Sequence, residues 1–114
     1  MSHKGASEGY GQTVYDEKTG EKAAQYVLFA KKALKWGADG AVVGATYPEK
    51  ISEIHKILGK NVPIYSPGVG VQGGVAETAA EAGAQYFIVG RHITLARNPG
   101  EAVKKLCLAI KHVK

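Results

Sequence analysis

Three apolar runs of strand length, DGAVVGA (39–45), NVPIYSP (61–67) and QYFIVG (85–90), alternate with helical patterns along this chain. That alternation restricts the fold more than any other feature. The runs are apolar throughout, as parallel strands covered on both faces must be. From Glu21 to Trp36 the apolar positions Ala23, Ala24, Tyr26, Val27, Ala30, Ala33 and Leu34 recur at helical spacing, and Gly37 supplies a stop. Thr46, Pro48 and Glu49 read as a capping-box start for a second helix. Its inner face is Ile51, Ile54 and Leu58, and Gly59 ends it. VAETAAEA, closed by Gly83, is a short third helix. Asn98-Pro99-Gly100-Glu101 opens a fourth, which carries Ala102, Val103, Leu106, Cys107, Ala109 and Ile110 inward. The order α-β-α-β-α-β-α fits an open doubly wound sheet or a (β/α)8 barrel. WGADGAVVGAT (36–46) and AGAQYFIVGRH (82–92) echo one another: a helix-stopping glycine, a strand, then a glycine at its carboxyl end.

The remaining composition narrows the function classes. At 114 residues the chain suits one small domain or a piece of a larger one. Residues 1–19 are polar and glycine-rich, a long loop by composition. The formal charge is +5, yet Lys31, Lys32, Lys104, Lys105 and Lys111 are spread over helical patterns without interleaved aromatics. That is a solvated surface or one suited to a small anion, with no nucleic-acid footprint. The lone cysteine, Cys107, reads as a small buried hydrophobe, with no disulfide partner and no metal-ligand spacing around it. No window approaches 18 apolar residues and no signal-peptide core opens the chain, so the expectation is a cytoplasmic protein with no membrane partner.

The chemistry concentrates in SPGVGVQGG (66–74), where Gly68, Gly70 and Gly73 have G-x-G-x-x-G spacing. A dinucleotide site also needs an acidic residue at the end of the next strand, and the chain has Arg91 there. A barrel explains more residues, because phosphate-binding barrels often hold the anion in the loops after strands seven and eight. Here those loops are SPGVGVQGG and GRHITLARNPG. Glycines let backbone N–H groups approach an anion, helped by a helix dipole. Arg91, beyond Gly90, offers a planar charged fork, and Gln72 adds a neutral donor.

SHKGA near the start, GAVVGATYPE, SPGVGVQGG and FIVGRHITLARNP resemble, in order and spacing, the C-terminal half of archaeal-type orotidine 5′-phosphate decarboxylases. The resemblance implies an α/β chain forming the C-terminal half of a (β/α)8 TIM barrel, with parallel strands six to eight and residues 1–19 as the loop after strand five. It implies a homodimeric, cofactor-free and metal-free carboxy-lyase that makes uridine monophosphate. On the same grounds Ser2 contacts the pyrimidine ring. Pro67, Gly68, Val69, Gly70, Val71, Gln72, Gly73 and Gly74 lie along the nucleotide, and Gly90 and Arg91 grip the phosphate. Thr94 stands where relatives often place a phosphate-contacting tyrosine, and Tyr47 where an arginine is common.

The family's chemistry also uses a D-x-K-x-x-D array at strand three, whose charges stabilise and protonate a carbanion. Asp16-Glu17-Lys18-Thr19-Gly20-Glu21 reproduces only its first half, in a polar loop. No catalytic residue is therefore assigned to this chain. Of its histidines, His92 follows Arg91 but reads more readily as a surface residue than as a phosphate contact, His3 neighbours Ser2 but reads as a solvated loop residue, and His55 and His112 read as surface residues. The expected partners are orotidine or uridine monophosphate, or phosphate, and either a second copy or the missing N-terminal half. The competing readings are a non-catalytic nucleotide- or sugar-phosphate-binding half-barrel that self-associates, and a purely structural piece.

Overall fold

A computed structural model of the chain describes residues 13–16, 20–70 and 76–111. It opens with an antiparallel hairpin of β1 (Thr13–Asp16) and β2 (Glu21–Ala24), with Val14 opposite Ala23. Thr13–Asp16, inside the stretch whose composition reads as loop, is thus a strand. The helix expected from Glu21 begins four residues later, as α1 (Gln25–Lys35). Ala23 and Ala24 keep helical spacing, but ladder hydrogen bonds to β1 claim their backbone. Gly20 makes the turn with φ +72, where a Cβ would be strained.

The centre is a parallel sheet in the order β3–β4–β5, formed by β3 (Ala41–Val42), β4 (Ile64–Pro67) and β5 (Tyr86–Ile88). Val43 N–H donates to the Tyr65 carbonyl at 2.9 Å and Ala45 N–H to that of Pro67 at 2.8 Å, so pairing reaches the carboxyl end. At the other end the Gln85 side chain accepts from Ile64 N–H at 2.7 Å. One face of the sheet is closed: Ile64 and Ser66 are fully buried there, with Val43, Ile51, Leu58 and Ala79 in the same core. Ser66 Oγ donates to the Val43 carbonyl at 2.6 Å, so its buried hydroxyl carries no unmet desolvation cost. The opposite face is open. Val42, Tyr86 and Ile88 are 66%, 53% and 50% exposed, and the Tyr65 and Tyr86 rings stack across it at 4.6 Å. The runs read as covered on both faces are covered on one.

Helix α2 (Pro48–Leu58) buries Ile51, Ile54 and Leu58, as their spacing predicts, and ends at Gly59 with φ +60. Its start differs from the expected capping box. Tyr47 is the cap residue and makes no side-chain cap bond, while the Thr46 hydroxyl is buried without a partner among the described residues. Pro48, with its preset φ, supplies the first turn instead. Helix α3 (Ala76–Ala82) ends at Gly83, with φ +123. A Cβ there would lie 2.5 Å from His55 Cγ, so the ring of His55 packs under this turn and is not a free surface group.

Helix α4 (Arg91–Thr94) is a single turn within the expected loop, anchored by Ile93 and Thr94 N–H groups on the Gly90 carbonyl. Helix α5 (Pro99–Lys111) begins where its sequence suggests, and Glu101 N–H donates to Asn98 Oδ1 at 3.1 Å. Only part of its expected inner face packs. Leu106 and Ile110 meet the core, whereas Val103 and Cys107 face outward and are exposed. The apolar residues are too evenly spread round α5 for spacing alone to identify its buried stripe.

Helices α1 and α2 are clasped at their surface. The Tyr26 hydroxyl donates to Glu53 Oε2 at 2.6 Å, and the Lys50 ammonium lies 5.1 Å from the Tyr26 ring and 4.8 Å from that of Tyr47. Burial, then the Glu53 hydrogen bond and the charges of Glu53 and Glu49, push the Tyr26 phenol up to about 12. A raised folded value means that the neutral phenol's contribution is complete below the unfolded value near 10 and is lost as pH rises towards 12. Urea-unfolding midpoints should therefore fall across that window, and Tyr26→Phe should flatten the fall.

Candidate functional site

The carboxyl ends of β4 and β5 lie side by side, with Pro67 in register with Ile88. Both chains then leave the sheet in the same direction, and glycine governs what each does next. Gly68 and Gly70 have φ +88 and +84, flanking Val69, whose side chain is buried at 5% exposure. Val69 thus pins the loop to the core, while the left-handed glycines on either side bend the backbone around it. Gly70 itself is exposed. On the neighbouring strand, a Cβ at Gly90 would meet nothing within 4 Å, so bare backbone faces open space. Arg91 follows immediately, exposed at the start of α4.

A side-chain contact ties the two segments together. The His92 ring lies against Gly70 so closely that a Cβ there would come within 2.7 Å of His92 Nδ1 and 2.9 Å of Cγ. Pro67, Gly68, Val69, Gly70, Gly90 and Arg91 are therefore gathered at one end of the sheet. Ser2, Val71, Gln72, Gly73 and Gly74 lie outside the described residues. Thr94 is exposed on α4, and Tyr47 flanks Lys50 beside α2. The packing of His92 on Gly70 is what sequence reasoning missed. A glycine reserved for a ring many residues away leaves no local signal.

This arrangement suits an anion. Glycine backbone can approach it without Cβ interference, and a guanidinium provides paired donors. Among the described residues no carboxylate pairs with Arg91, and no group of His, Cys, Asp or Glu is arranged to hold a metal. No helix among them is long and apolar enough to cross a membrane. A separate apolar groove of about 370 Å3 runs between α1 and β3, lined by Phe29, Ala33, Val42 and Ile54 among others. It follows the edge of the sheet opposite β5, and its lining is mostly apolar, with Tyr26 among it.

The family model for orotidine 5′-phosphate decarboxylase / HUMPS matches residues 1–106. The orotidine 5′-phosphate decarboxylase of Methanococcoides burtonii is 41% identical over 107 residues, which are 94% of this chain and 44% of that protein. The crystal structure of the Pyrococcus horikoshii enzyme superposes with a TM-score of 0.67 at 40% identity, over 75% of this chain and 41% of the other. That of Methanocaldococcus jannaschii, complexed with the inhibitor BMP, gives a TM-score of 0.74 at 32% identity, over 96% of this chain and 46% of the other. The chain spans less than half the length of these relatives, and its sheet and helices form part of a barrel.

Proposed function

Since the chain belongs to the orotidine 5′-phosphate decarboxylase / HUMPS family, we propose that it supplies the phosphate- and base-holding half of an orotidine 5′-phosphate decarboxylase. The reaction converts orotidine monophosphate to uridine monophosphate and CO2, in the cytoplasm. The observation that carries the proposal is the convergence of Gly68–Gly70 with Gly90–Arg91 at the carboxyl ends of adjacent parallel strands. In this reading the Arg91 guanidinium donates to two phosphate oxygens and the glycine backbone approaches the same group. Gln72 reaches between phosphate and base, with Val71, Gly73 and Gly74 completing the loop, and Ser2 meets the pyrimidine. Holding the phosphate fixes the orotate ring relative to catalytic charges supplied by other strands, so remote binding contributes to positioning at the reacting carbon. The open sheet face is covered in the working protein, by the remaining barrel strands or by a second copy.

Calorimetric titration with uridine monophosphate tests this. The chain should bind the nucleotide more tightly than uridine. Arg91→Ala should weaken nucleotide binding roughly tenfold to a hundredfold, the scale of a lost charged hydrogen bond. Equal binding of uridine and its monophosphate, or unchanged affinity in Arg91→Ala, would show that the site lies elsewhere.

A further inference from the structure

The geometry points to His92 as the positioning residue that holds the Gly68–Gly70 start of the phosphate loop beside Arg91, with Gly70 as the notch that receives its ring. The inference rests on the phosphate reading above. It concerns how the loop is held and not which group meets the anion.

The two segments that must act together come from different strands, and the β4–β5 ladder among the described residues runs to Pro67 and Ile88. Beyond that register, Val69 anchors the loop from below through its buried side chain. From the side, the described contact is the His92 ring on Gly70. His92 stands next to Arg91 on a one-turn helix held by the Gly90 carbonyl. Displacement of the ring therefore moves the loop relative to the guanidinium that shares its ligand.

The choice of glycine at 70 follows twice over. Its φ of +84 is disfavoured for other residues, and the space a Cβ needs is already occupied by the His92 side chain, whose ring atoms lie 2.7–2.9 Å away. Such closeness makes the two positions energetically dependent, because contacting residues couple whereas distant ones add. A planar ring at 92 is what the notch fits, so the role is one of packing and does not require a nitrogen donor.

The test is uridine monophosphate titration of the full chain in five forms: unchanged, His92→Ala, His92→Phe, Gly70→Ala and the double variant Gly70→Ala/His92→Ala. Thermal melts run alongside. His92→Ala should weaken binding roughly tenfold, a typical contact coupling, with little change in melting midpoint. His92→Phe should stay within about twofold of the unchanged chain, because the ring is kept. Gly70→Ala should bind more weakly still, and the double variant no more weakly than Gly70→Ala, since removing the ring removes the clash. Unchanged affinity in His92→Ala, equal loss in His92→Phe, or losses that multiply in the double variant would each overturn the inference. If Gly70→Ala does not fold, the contrast between His92→Ala and His92→Phe decides alone. Loss in Arg91→Ala without loss in the His92 variants sinks this inference and leaves the phosphate reading standing. Indifference to Arg91→Ala, or no nucleotide binding at all, sinks both.

Discussion

At micromolar concentration the 114-residue chain on its own will run in light scattering at no less than twice its 12.0 kDa mass. The open sheet face is the reason. Val42, Tyr86 and Ile88 form an apolar surface around the Tyr65–Tyr86 stack, and the groove between α1 and β3 continues it to the β3 edge, which pairs with no further strand among the described residues. Fully burying an aliphatic side chain is worth roughly 1.5–3 kcal/mol; Val42, Tyr86 and Ile88 are half to two-thirds exposed, so closing the face recovers part of that for each and offsets part of the entropy cost of association. Exposed parallel edges add backbone groups that seek partners. Val42→Lys combined with Ile88→Lys should return the chain towards monomer, because closing the face would then bury two ammonium groups. A stable monomer of the unaltered chain would show that the face is content in water, and unchanged assembly in the double lysine variant would place the contact elsewhere.

Much of this molecule was legible where its determinants are local. The spacing of Ile51, Ile54 and Leu58 names a helix face, and all three are buried. Asn98-Pro99-Gly100-Glu101 names a helix start, and α5 begins there, at Pro99. Gly59 and Gly83 mark helix ends because the left-handed backbone there excludes other residues cheaply. The family resemblance singled out the two glycine-bearing loops proposed to hold an anion, and the sheet places their described parts side by side. What escaped was set by distant partners. Ala23 and Ala24 fit a helix until β1 pairs with them. Thr46 has the chemistry of a cap, but the chain enters α2 one residue later. Cys107 has the chemistry of a core residue, yet α5 meets the core through Leu106 and Ile110. His55 and His92 each fill the space of a glycine far along the chain, Gly83 and Gly70, and neither pairing has a period to read.

The largest expected effect is catalytic. Alone, the chain should decarboxylate orotidine monophosphate no faster than background. A phosphate grip positions the substrate but puts no charge at the reacting carbon, and the barrier is lowered by interactions stronger in the transition state. The family's lysine–aspartate array is of the latter kind, and this chain is assigned no residue equivalent to it. Enzymes of ordinary power exceed the uncatalysed rate by at least about a millionfold, so the contrast between chain alone and completed barrel leaves no room for ambiguity. Supplied with a separately expressed N-terminal half from a close relative, the chain should regain turnover as β3 pairs and the open face closes.

The decisive measurement follows the loss of orotidine absorbance in four mixtures: each half alone, both together, and both together with Arg91→Ala in this chain. Activity only when both halves are present, falling at least about tenfold with Arg91→Ala, is the result expected if this chain holds the phosphate of a decarboxylase substrate. Turnover by the isolated 114-residue chain, or a joint activity indifferent to Arg91, would contradict it.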